Sequence, residues 1–276
     1  MRPTEVARRG AGYLARHGVD SPHVESETLL LRILDIDRTT LFTRNAGLTT
    51  AEAKAYGRAL CRRCTGTPLQ HLTGEQGFRR LVVQVRPGVF VPRPETEMVV
   101  DVALALAGEP RPIVIDVCTG TGAVALAIAD ERPGATVYAT DVSAEAVELA
   151  RANAAQLGLD VLVFHGDLFA SLPTDLRGRT DLVVANPPYV PVADAASLPA
   201  DVRADPARAV FGGVEFATRL LGGALGWLRP GGAVAIEIEE RTAPAVMAAA
   251  RDAGFDDVLV HPDLNGRDRV VSGRRP

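Results

Sequence analysis

The segment Asn186-Pro187-Pro188-Tyr189 combines hydrogen-bond acceptors with two residues that stiffen the backbone. The Asn186 side-chain oxygen and the Pro187 carbonyl can each accept one N–H from a planar amide or aromatic amine. Because the lone pair of such a nitrogen is delocalised, binding both N–H groups favours its pyramidal form and orients it toward an electrophile. The prolines hold the acceptors in place, and Tyr189 offers an aromatic wall. We assign catalysis to Asn186, Pro187 and Tyr189 and substrate contact to all four residues, with an amide and an adenine amine equally acceptable.

A glycine-rich turn, Cys118-Thr119-Gly120-Thr121-Gly122, follows the apolar run 113–117 and precedes a helical pattern. Glycines there allow a ligand to approach the backbone, and the helix N-terminus supplies free N–H groups. Asp141, at the end of the next predicted strand, suits ribose hydroxyls. The turn therefore predicts a nucleotide-like ligand, but its spacing also fits a dinucleotide-binding fingerprint.

Two acidic residues favour S-adenosylmethionine over NAD as this ligand. Asp116 stands just before the turn, and Asp167 lies in a loop after the third predicted strand. The Asp167 carboxylate can accept from the adenine amine, and the Leu168 backbone N–H can donate to a ring nitrogen. No second catalytic constellation accompanies an NAD site. The predicted contacts of the cofactor S-adenosylmethionine are Asp116, Cys118, Thr119, Gly120, Thr121, Gly122, Asp141, Asp167, Leu168 and Asn186.

Strands alternate with helices from Pro112 onward. The predicted strands are 113–117, 136–140, 161–164, 181–185 and 233–238, with two more near Val258 and Val270; the predicted helices are 123–130, 144–157, 216–228 and 243–253. This alternation predicts an α/β fold with a doubly wound, mostly parallel, seven-stranded sheet covered by helices on both faces. Since the carboxyl ends of parallel strands share one edge, the glycine-rich turn and residues 186–189 should lie together.

The N-terminal part of the chain has a different sequence pattern. Residues 4–65 carry apolar side chains at helical spacing, with Ser21-Pro22 and the capping box Thr49-Thr50-Ala51-Glu52 as start signals, which predicts a small helical bundle. Two β-branched runs, 81–85 and 89–91, flank Arg86-Pro87-Gly88 and predict a hairpin. We therefore expect a helical domain at 1–75, which carries no catalytic constellation and serves substrate recognition or simple packing, a β-hairpin linker at 76–92 and a catalytic domain at 93–276.

Composition narrows the class of protein. The 276 residues are 47% hydrophobic and 23% charged, enough for a substantial core, and no apolar run is long enough for a membrane span or a signal peptide. We expect a cytoplasmic protein without membrane association. The net charge of −4 gives no general attraction to phosphates, so stable nucleic-acid binding is not expected. Cys61 and Cys64 form a lone C-x-x-C pair and the histidines are scattered, so no metal site is expected.

Beyond these features, the chain resembles the release factor glutamine N5-methyltransferases over nearly its whole length. The further segments that carry the resemblance are Pro68-Leu69-Gln70-His71-Leu72-Thr73-Gly74, Pro92-Arg93-Pro94-Glu95-Thr96-Glu97, Asp205-Pro206 and Ala209-Val210-Phe211-Gly212-Gly213. The resemblance implies a class I S-adenosylmethionine-dependent methyltransferase domain that methylates the glutamine of the Gly-Gly-Gln motif in class-1 peptide chain release factors. It also implies that the helical domain engages the release factor, that residues 186–189 hold the glutamine, and that residues 93–97 border the methionine end of the cofactor.

Some positions depart from the family pattern, and some alternatives stay open. Many relatives have glycine at Cys118, an aromatic residue at Leu168 and glutamate at Asp205, although no departure removes a donor or acceptor that the chemistry uses. The alternatives are glutamine methylation of a ribosomal protein, adenine N6 methylation of nucleic acid, and a cofactor-binding regulator in which Asn186 has no role. Segment 93–97 resembles the enzymes that modify release factors more than those that modify a ribosomal protein. The acidic net charge disfavours a nucleic-acid substrate.

Overall fold

The computed structural model describes residues 1–198 and 200–276. The chain divides into two compact units, Met1–Glu75 and Gln76–Pro276. In the described residues, every helix is too short or too polar to cross a bilayer.

Five helices make up the first unit: α1 (Pro3–Arg16), α2 (Pro22–Leu34), α3 (Arg38–Thr43), α4 (Thr50–Cys64) and α5 (Leu69–Thr73). They enclose a leucine-rich core that includes Leu14, Leu29 and Leu30. The capping box expected at the start of α4 is confirmed, because Thr49 Oγ1 accepts from Glu52 N at 3.2 Å and Glu52 Oε2 accepts from Thr49 N at 2.6 Å. The apolar periodicity of residues 4–65 thus forms the predicted bundle.

A buried polar cluster joins three of these helices. Ser26 Oγ donates to the Ala7 carbonyl at 2.6 Å, and the Tyr56 hydroxyl lies 2.5 Å from Ser26 Oγ. Gly10 faces this cluster, since a Cβ on Gly10 would stand 2.0 Å from the Tyr56 hydroxyl oxygen and 2.6 Å from Ser26 Oγ. Only glycine therefore fits on α1 where α2 and α4 approach it.

Gly10→Ala should destabilise the helical unit by about 1–3 kcal/mol, because the added methyl group must displace a hydrogen-bonded side chain in a packed interior. The matched control is Gly12→Ala in the same helix, where a Cβ would meet only the flexible end of Arg16, at 3.7 Å. That control should stabilise α1 by about 0.5–1 kcal/mol. Urea unfolding, together with amide hydrogen exchange in α1, α2 and α4, measures both effects; equal stability of the two variants would contradict the packing argument.

A two-stranded sheet begins at the boundary residue Glu75 and otherwise belongs to the second unit; its strands are β1 (Glu75–Phe78) and β2 (Leu81–Gln84), joined by Arg79 and Arg80. The hairpin predicted around Arg86-Pro87-Gly88 is therefore wrong, since β2 pairs with the strand before it and residues 89–91 form no strand. Gln84 explains the difference, because Asn153 binds both its backbone N–H, at 2.8 Å, and its carbonyl, at 3.1 Å. A side chain thus occupies backbone groups that a hairpin partner would need.

Long-range contacts also hold the actual turn. Arg79 adopts a φ of +52°, a left-handed conformation that costs energy for a residue with a side chain. Its backbone N–H donates to Glu97 Oε1 at 2.9 Å, and its guanidinium pairs with Glu131 and Asp101. Such partners are distant in sequence and leave no local signal.

The main sheet of the second unit has seven strands in the order β5-β4-β3-β6-β7-β9-β8. The strands are β3 (Ile113–Val117), β4 (Thr136–Asp141), β5 (Val161–His165), β6 (Thr180–Ala185), β7 (Leu228–Glu237), β8 (Asp256–Pro262) and β9 (Asp268–Arg274). Strand β9 is antiparallel to both of its neighbours, β7 and β8, whereas β3, β4, β5, β6 and β7 pair with one another in parallel. The predicted doubly wound, mostly parallel, seven-stranded sheet is confirmed.

Helices cover both faces of this sheet. They are α6 (Glu97–Leu106), α7 (Ala123–Glu131), α8 (Ala144–Leu157), α11 (Gly213–Leu225) and α12 (Ala243–Ala253), and two short helices, α9 (Ala200–Arg203) and α10 (Ala207–Val210), lie in the segment between β6 and α11. Val114 packs on one face with α6, α7 and α8, while its neighbour Ile115 packs on the other face with α11 and α12. The helix predicted at 216–228 ends earlier, because Leu228 already pairs with Thr180 in the sheet.

Strand β3 lies beside β6 at the centre of the sheet. Asp116 pairs with Val184, and Val117 pairs with Ala185. The glycine-rich turn and residues 186–189 therefore leave adjacent strands at the same edge, as the sequence predicts.

Candidate active site

A cavity of about 530 Å³ opens at this edge of the sheet. Every site residue singled out in the sequence lines it except Gly122. Residues 118–121 of the glycine-rich turn, Asp141, Asp167 and Leu168 line it together with residues 186–189. The sequence patterns and the cavity thus identify the same place in the molecule.

Asp116 organises the glycine-rich turn from inside. Its carboxylate is 1% exposed, and Oδ2 accepts from Thr119 Oγ1 at 2.6 Å and from Ala125 N at 3.2 Å. These bonds tie the end of β3 to the first turn of α7. Burial raises the pKa of Asp116 to about 7, even though both hydrogen bonds act to lower it.

The two glycines of the turn have different tasks. Gly120 lines the cavity with a φ of +57°, and no atom lies within 4 Å of the position that a Cβ would take. Gly122 has a φ of +85° and packs inward, because its Cβ would stand 3.2 Å from both Ala150 Cβ and Leu126 Cδ1. A ligand can therefore approach the backbone at Gly120, whereas Gly122 allows α7 and α8 to pack closely.

Cys118 also adopts a left-handed conformation, with a φ of +63°. Glycine reaches this conformation without steric cost, whereas cysteine adopts it with strain. Burial raises the pKa of the Cys118 thiol well above its usual range, so this cysteine stays protonated at neutral pH. Cys118 therefore lines the cavity and does not act as a nucleophile.

Two carboxylates, Asp141 and Asp167, line the cavity near the glycine-rich turn. Asp141 accepts from Gly120 N through Oδ2 and from Ser143 N through Oδ1, each at 2.9 Å, and burial raises its pKa. Asp167 is half-exposed and pairs through Oδ1 with Arg219 at 3.2 Å. Each carboxylate oxygen keeps a further lone pair for a ligand donor.

The side chain of Asn186 has a defined direction. Its Nδ2 donates to Thr96 Oγ1 at 3.0 Å. Across residues 1–198 and 200–276, no protein donor binds Asn186 Oδ1, and Asn186 lines the cavity. The amide oxygen is therefore the end that is available to a substrate.

Tyr189 is held by a buried acid that sequence reasoning missed. Its hydroxyl donates to Glu237 Oε1 at 3.1 Å, at the end of β7. The one available signal was a lone carboxylate in the apolar run Ala233-Val234-Ala235-Ile236-Glu237-Ile238. Thr96, the partner of Asn186, lies in segment 93–97, which the family resemblance had marked for another role.

The loop at residues 186–189 rests on the segment 209–213. Val190 N donates to the Val210 carbonyl at 3.0 Å, and Gly212 N donates to the Val190 carbonyl at 3.1 Å. A Cβ on Gly212 would lie 2.3 Å from the Pro188 carbonyl oxygen. The glycine thus permits a backbone approach that fixes the position of the two prolines.

A buried ion pair joins two further walls of the cavity. Arg93 Nη2 lies 2.7 Å from Asp205 Oδ2, and Asp205 Oδ1 accepts from Val91 N at 3.3 Å. The Asp205 side chain is fully buried, and both Arg93 and Pro206 line the cavity. The segments Pro92–Glu97 and Asp205-Pro206, far apart in sequence, therefore act together as one wall.

Two protein families match this chain. Residues 86–198 match the family described as Methyltransferase small domain, and residues 5–74 match the PrmC N-terminal domain. Among solved structures, a ribosomal protein L11 methylase from Lactobacillus delbrueckii subsp. bulgaricus aligns with a TM-score of 0.50 and 23% identity over 70% of this chain and 86% of its own. A T. thermophilus 16S rRNA methyltransferase in complex with AdoMet and guanosine aligns with a TM-score of 0.55 and 20% identity over 73% of this chain and 50% of its own. These structures support the fold.

Curated relatives match over almost the whole chain. The release factor glutamine methyltransferase of Deinococcus radiodurans is 42% identical over 100% of this chain and 99% of its own length. Those of Moorella thermoacetica and Mycolicibacterium smegmatis are 43% and 41% identical over 98% and 95% of this chain and 96% and 94% of their own. With both units and the cavity motifs included in these alignments, the chain belongs to the release factor glutamine methyltransferase family.

Proposed function

We infer that this protein transfers a methyl group from S-adenosylmethionine to the side-chain amide nitrogen of the glutamine in the Gly-Gly-Gln motif of class-1 peptide chain release factors. The observation that carries this inference is the direction of Asn186, whose oxygen faces the cavity because its nitrogen is bound to Thr96. Full-length relatives that bear this activity in their names support the choice of substrate.

The cavity fits S-adenosylmethionine by a test that does not depend on the relatives. Gly120 leaves open the space that a side chain would fill, next to acceptors at Asp141 and Asp167. We propose that Asp141 binds the ribose hydroxyls, that Asp167 accepts from the adenine amine, and that Leu168 N donates to the ring. When bound, S-adenosylmethionine supplies an electrophilic methyl group on a positively charged sulfur.

The proposed mechanism uses acceptors in place of a strong base. Asn186 Oδ1 and the Pro187 carbonyl would each bind one N–H of the glutamine amide, which turns the nitrogen lone pair toward the methyl group. The nitrogen would gain the methyl group as the sulfur–methyl bond breaks and a neutral thioether is left, and it would release one of these protons to water, because the Asn186 oxygen and the Pro187 carbonyl are not strong bases. Tyr189 would pack its ring on the planar amide. Because Gly212 and the prolines fix the loop, the acceptors need no reorganisation during the reaction.

We propose a role for each part of the chain as well. Residues 1–75 would recognise the release factor, residues 76–92 would link the domains, and residues 93–276 would form the methyltransferase domain. The acidic net charge of −4 supports a protein substrate without stable nucleic-acid binding. Since release factors act on the ribosome, the proposed substrate places the enzyme in the cytoplasm.

The direct test incubates the protein with methyl-labelled S-adenosylmethionine and a purified class-1 release factor, followed by peptide mass spectrometry. One methyl group should appear on the Gly-Gly-Gln glutamine and none on a release factor in which that glutamine is alanine. Labelling of nucleic acid or of a ribosomal protein, with an unmodified release factor, would refute the proposed function.

Asn186→Ala should lower kcat by about 100-fold or more, because it removes an acceptor placed for the transition state. Cofactor affinity, measured by calorimetry, should change by no more than about threefold, since the glycine-rich turn and Asp141 remain. Asn265→Ala, in an exposed turn, is the matched control and should keep full activity. Full activity of Asn186→Ala would rule out the lone-pair mechanism.

Gly212→Ala should lower kcat by about tenfold or more, because its Cβ would push the Pro188 carbonyl and move the acceptors. Gly222→Ala is the matched control in α11, where a Cβ has no neighbour within 4 Å. We expect Gly222→Ala to keep wild-type kcat with slightly raised thermal stability. If both variants have the same kcat, the close approach of Gly212 to the loop has no part in catalysis.

A further inference from the structure

Helix α11 places three residues on one face. Phe216, Arg219 and Gly223 stand three and four positions apart, so they share one side of the helix. Phe216 and Arg219 line the cavity. Gly223 packs against the loop 166–172, because a Cβ on Gly223 would lie 2.9 Å from Phe169 Cε2. Helix α11 therefore fits closely on the loop that carries Asp167 and brings Arg219 beside it.

Arg219 contacts both Asp167 and Phe216. Its Nη2 donates to Asp167 Oδ1 at 3.2 Å, and its guanidinium carbon lies 5.0 Å from the centre of the Phe216 ring. Across residues 1–198 and 200–276, no other cation pairs with Asp167, and no protein donor binds Asp167 Oδ2. The side chains of Arg219 and Asp167 are half-exposed. Since an exposed ion pair adds little to folding stability, the stability of the fold does not account for this arrangement.

The backbone around Asp167 is fixed by other contacts. Gly166 N donates to the Asp141 carbonyl at 2.9 Å, and a Cβ on Gly166 would lie 2.5 Å from Ser171 Oγ. The loop is thus held at the end of β4 and has no room for a side chain at Gly166. The side chain of Asp167 would still be free to rotate, and the contact that restricts it comes from Arg219.

This contact prepares Asp167 to accept a hydrogen bond from a ligand. Binding of a base at Asp167 removes water from the carboxylate, which is costly for a charge without a partner. An unpaired, half-exposed Asp167 would turn toward the solvent to avoid that cost. Arg219 opposes this rotation by binding Oδ1, and it leaves Oδ2 as the free acceptor. Because the planar guanidinium rests on the Phe216 ring, Arg219 is in place before a ligand arrives.

We propose that Arg219 is a positioning residue for cofactor recognition: it holds Asp167 through Oδ1 and so determines how strongly the site selects a base that carries an exocyclic amine. This role rests on the proposed function, in which Asp167 accepts from the adenine amine. It adds that the strength of this contact depends on a residue of another element, 52 positions away in the chain.

Two ligands isolate the contact at Asp167. One is S-adenosylhomocysteine, the product of methyl transfer, and the other is its purine analogue, in which hydrogen replaces the exocyclic amine. Calorimetry should show that the wild type binds S-adenosylhomocysteine about tenfold or more tightly than the analogue, because the analogue lacks the hydrogen bond to a charged acceptor. The ratio of the two dissociation constants measures selection for the amine. Since each ratio compares two ligands on the same variant, a loss of folded protein lowers the stoichiometry but not the ratio.

Arg219→Gln should lower this ratio to about twofold or less, because Asp167 then turns toward water when the base binds. Affinity for the analogue should change by no more than about threefold, since the analogue has no amine to donate to the carboxylate. Arg219→Lys keeps a cation within reach of Asp167 and should retain about half or more of the wild-type ratio. Arg177→Gln is the matched control, because Arg177 also stacks on an aromatic ring, that of Trp227, but does not line the cavity. This control should keep the wild-type ratio.

Asp167→Ala completes a double-mutant cycle with Arg219→Gln. Without a carboxylate at position 167 the ratio should fall to about one, and the addition of Arg219→Gln should not change it further. A merely structural role of Arg219 in α11 would instead weaken the binding of both ligands by the same factor and leave each ratio unchanged. The cycle therefore tests whether Arg219 acts through Asp167.

The outcomes separate the role of Arg219 from the proposed function. If the wild type does not bind S-adenosylhomocysteine, or leaves the release factor unmodified, the proposed function fails. If the wild type methylates the release factor but binds both ligands equally, Asp167 does not read the amine, and the role of Arg219 is refuted while methyl transfer stands. An unchanged ratio in Arg219→Gln, or the same loss in Arg219→Lys as in Arg219→Gln, would also refute that role.

Discussion

The hydrogen bond from Asn186 to Thr96 is the interaction on which the proposed active site depends. A side-chain amide has two ends of nearly equal size and opposite polarity, so shape alone cannot set its direction. In this protein the nitrogen donates to Thr96 Oγ1 at 3.0 Å, and the oxygen is left at the cavity. The reversed amide would place donors against the donors of a glutamine, with a cost of about 1–3 kcal/mol for each unpaired group.

The rest of the catalytic unit serves to keep that amide in place relative to the cofactor region. Strands β3 and β6 are neighbours, so the glycine-rich turn and the loop at 186–189 start from paired residues in one rigid sheet. Asp116 ties the turn to α7 from below, and Gly212 lets the backbone of 209–213 press on Pro188. The loop between these supports is short and contains two prolines, which leaves little freedom for the acceptors.

The sequence was most informative where chemistry follows from local patterns. Residues 186–189 and the glycine-rich turn could be assigned to one site because parallel strands of a doubly wound sheet end at a common edge. Their residue types also indicated the class of ligand and the need for two acceptors. The orientation of Asn186 was out of reach, since it depends on Thr96, which is 90 positions away in the chain.

Two other features show why the rest of the structure could not be predicted from the sequence. The hairpin was misplaced because Arg79 forms its turn with Glu97, Asp101 and Glu131, and because Asn153 binds the backbone of Gln84. Glu237 looked like one more residue of a buried strand. Its contact is with the Tyr189 hydroxyl, which donates to Glu237 Oε1 from another element, 48 positions away in the chain.

Neutron diffraction from deuterium-exchanged crystals would test the account at this central amide. It predicts two deuterons on the Asn186 side-chain atom that faces Thr96, one of them directed at Thr96 Oγ1, and none on the atom that faces the cavity. Deuterons on the cavity-facing atom would mean that Asn186 presents donors to the substrate, and the proposed mechanism would then be wrong.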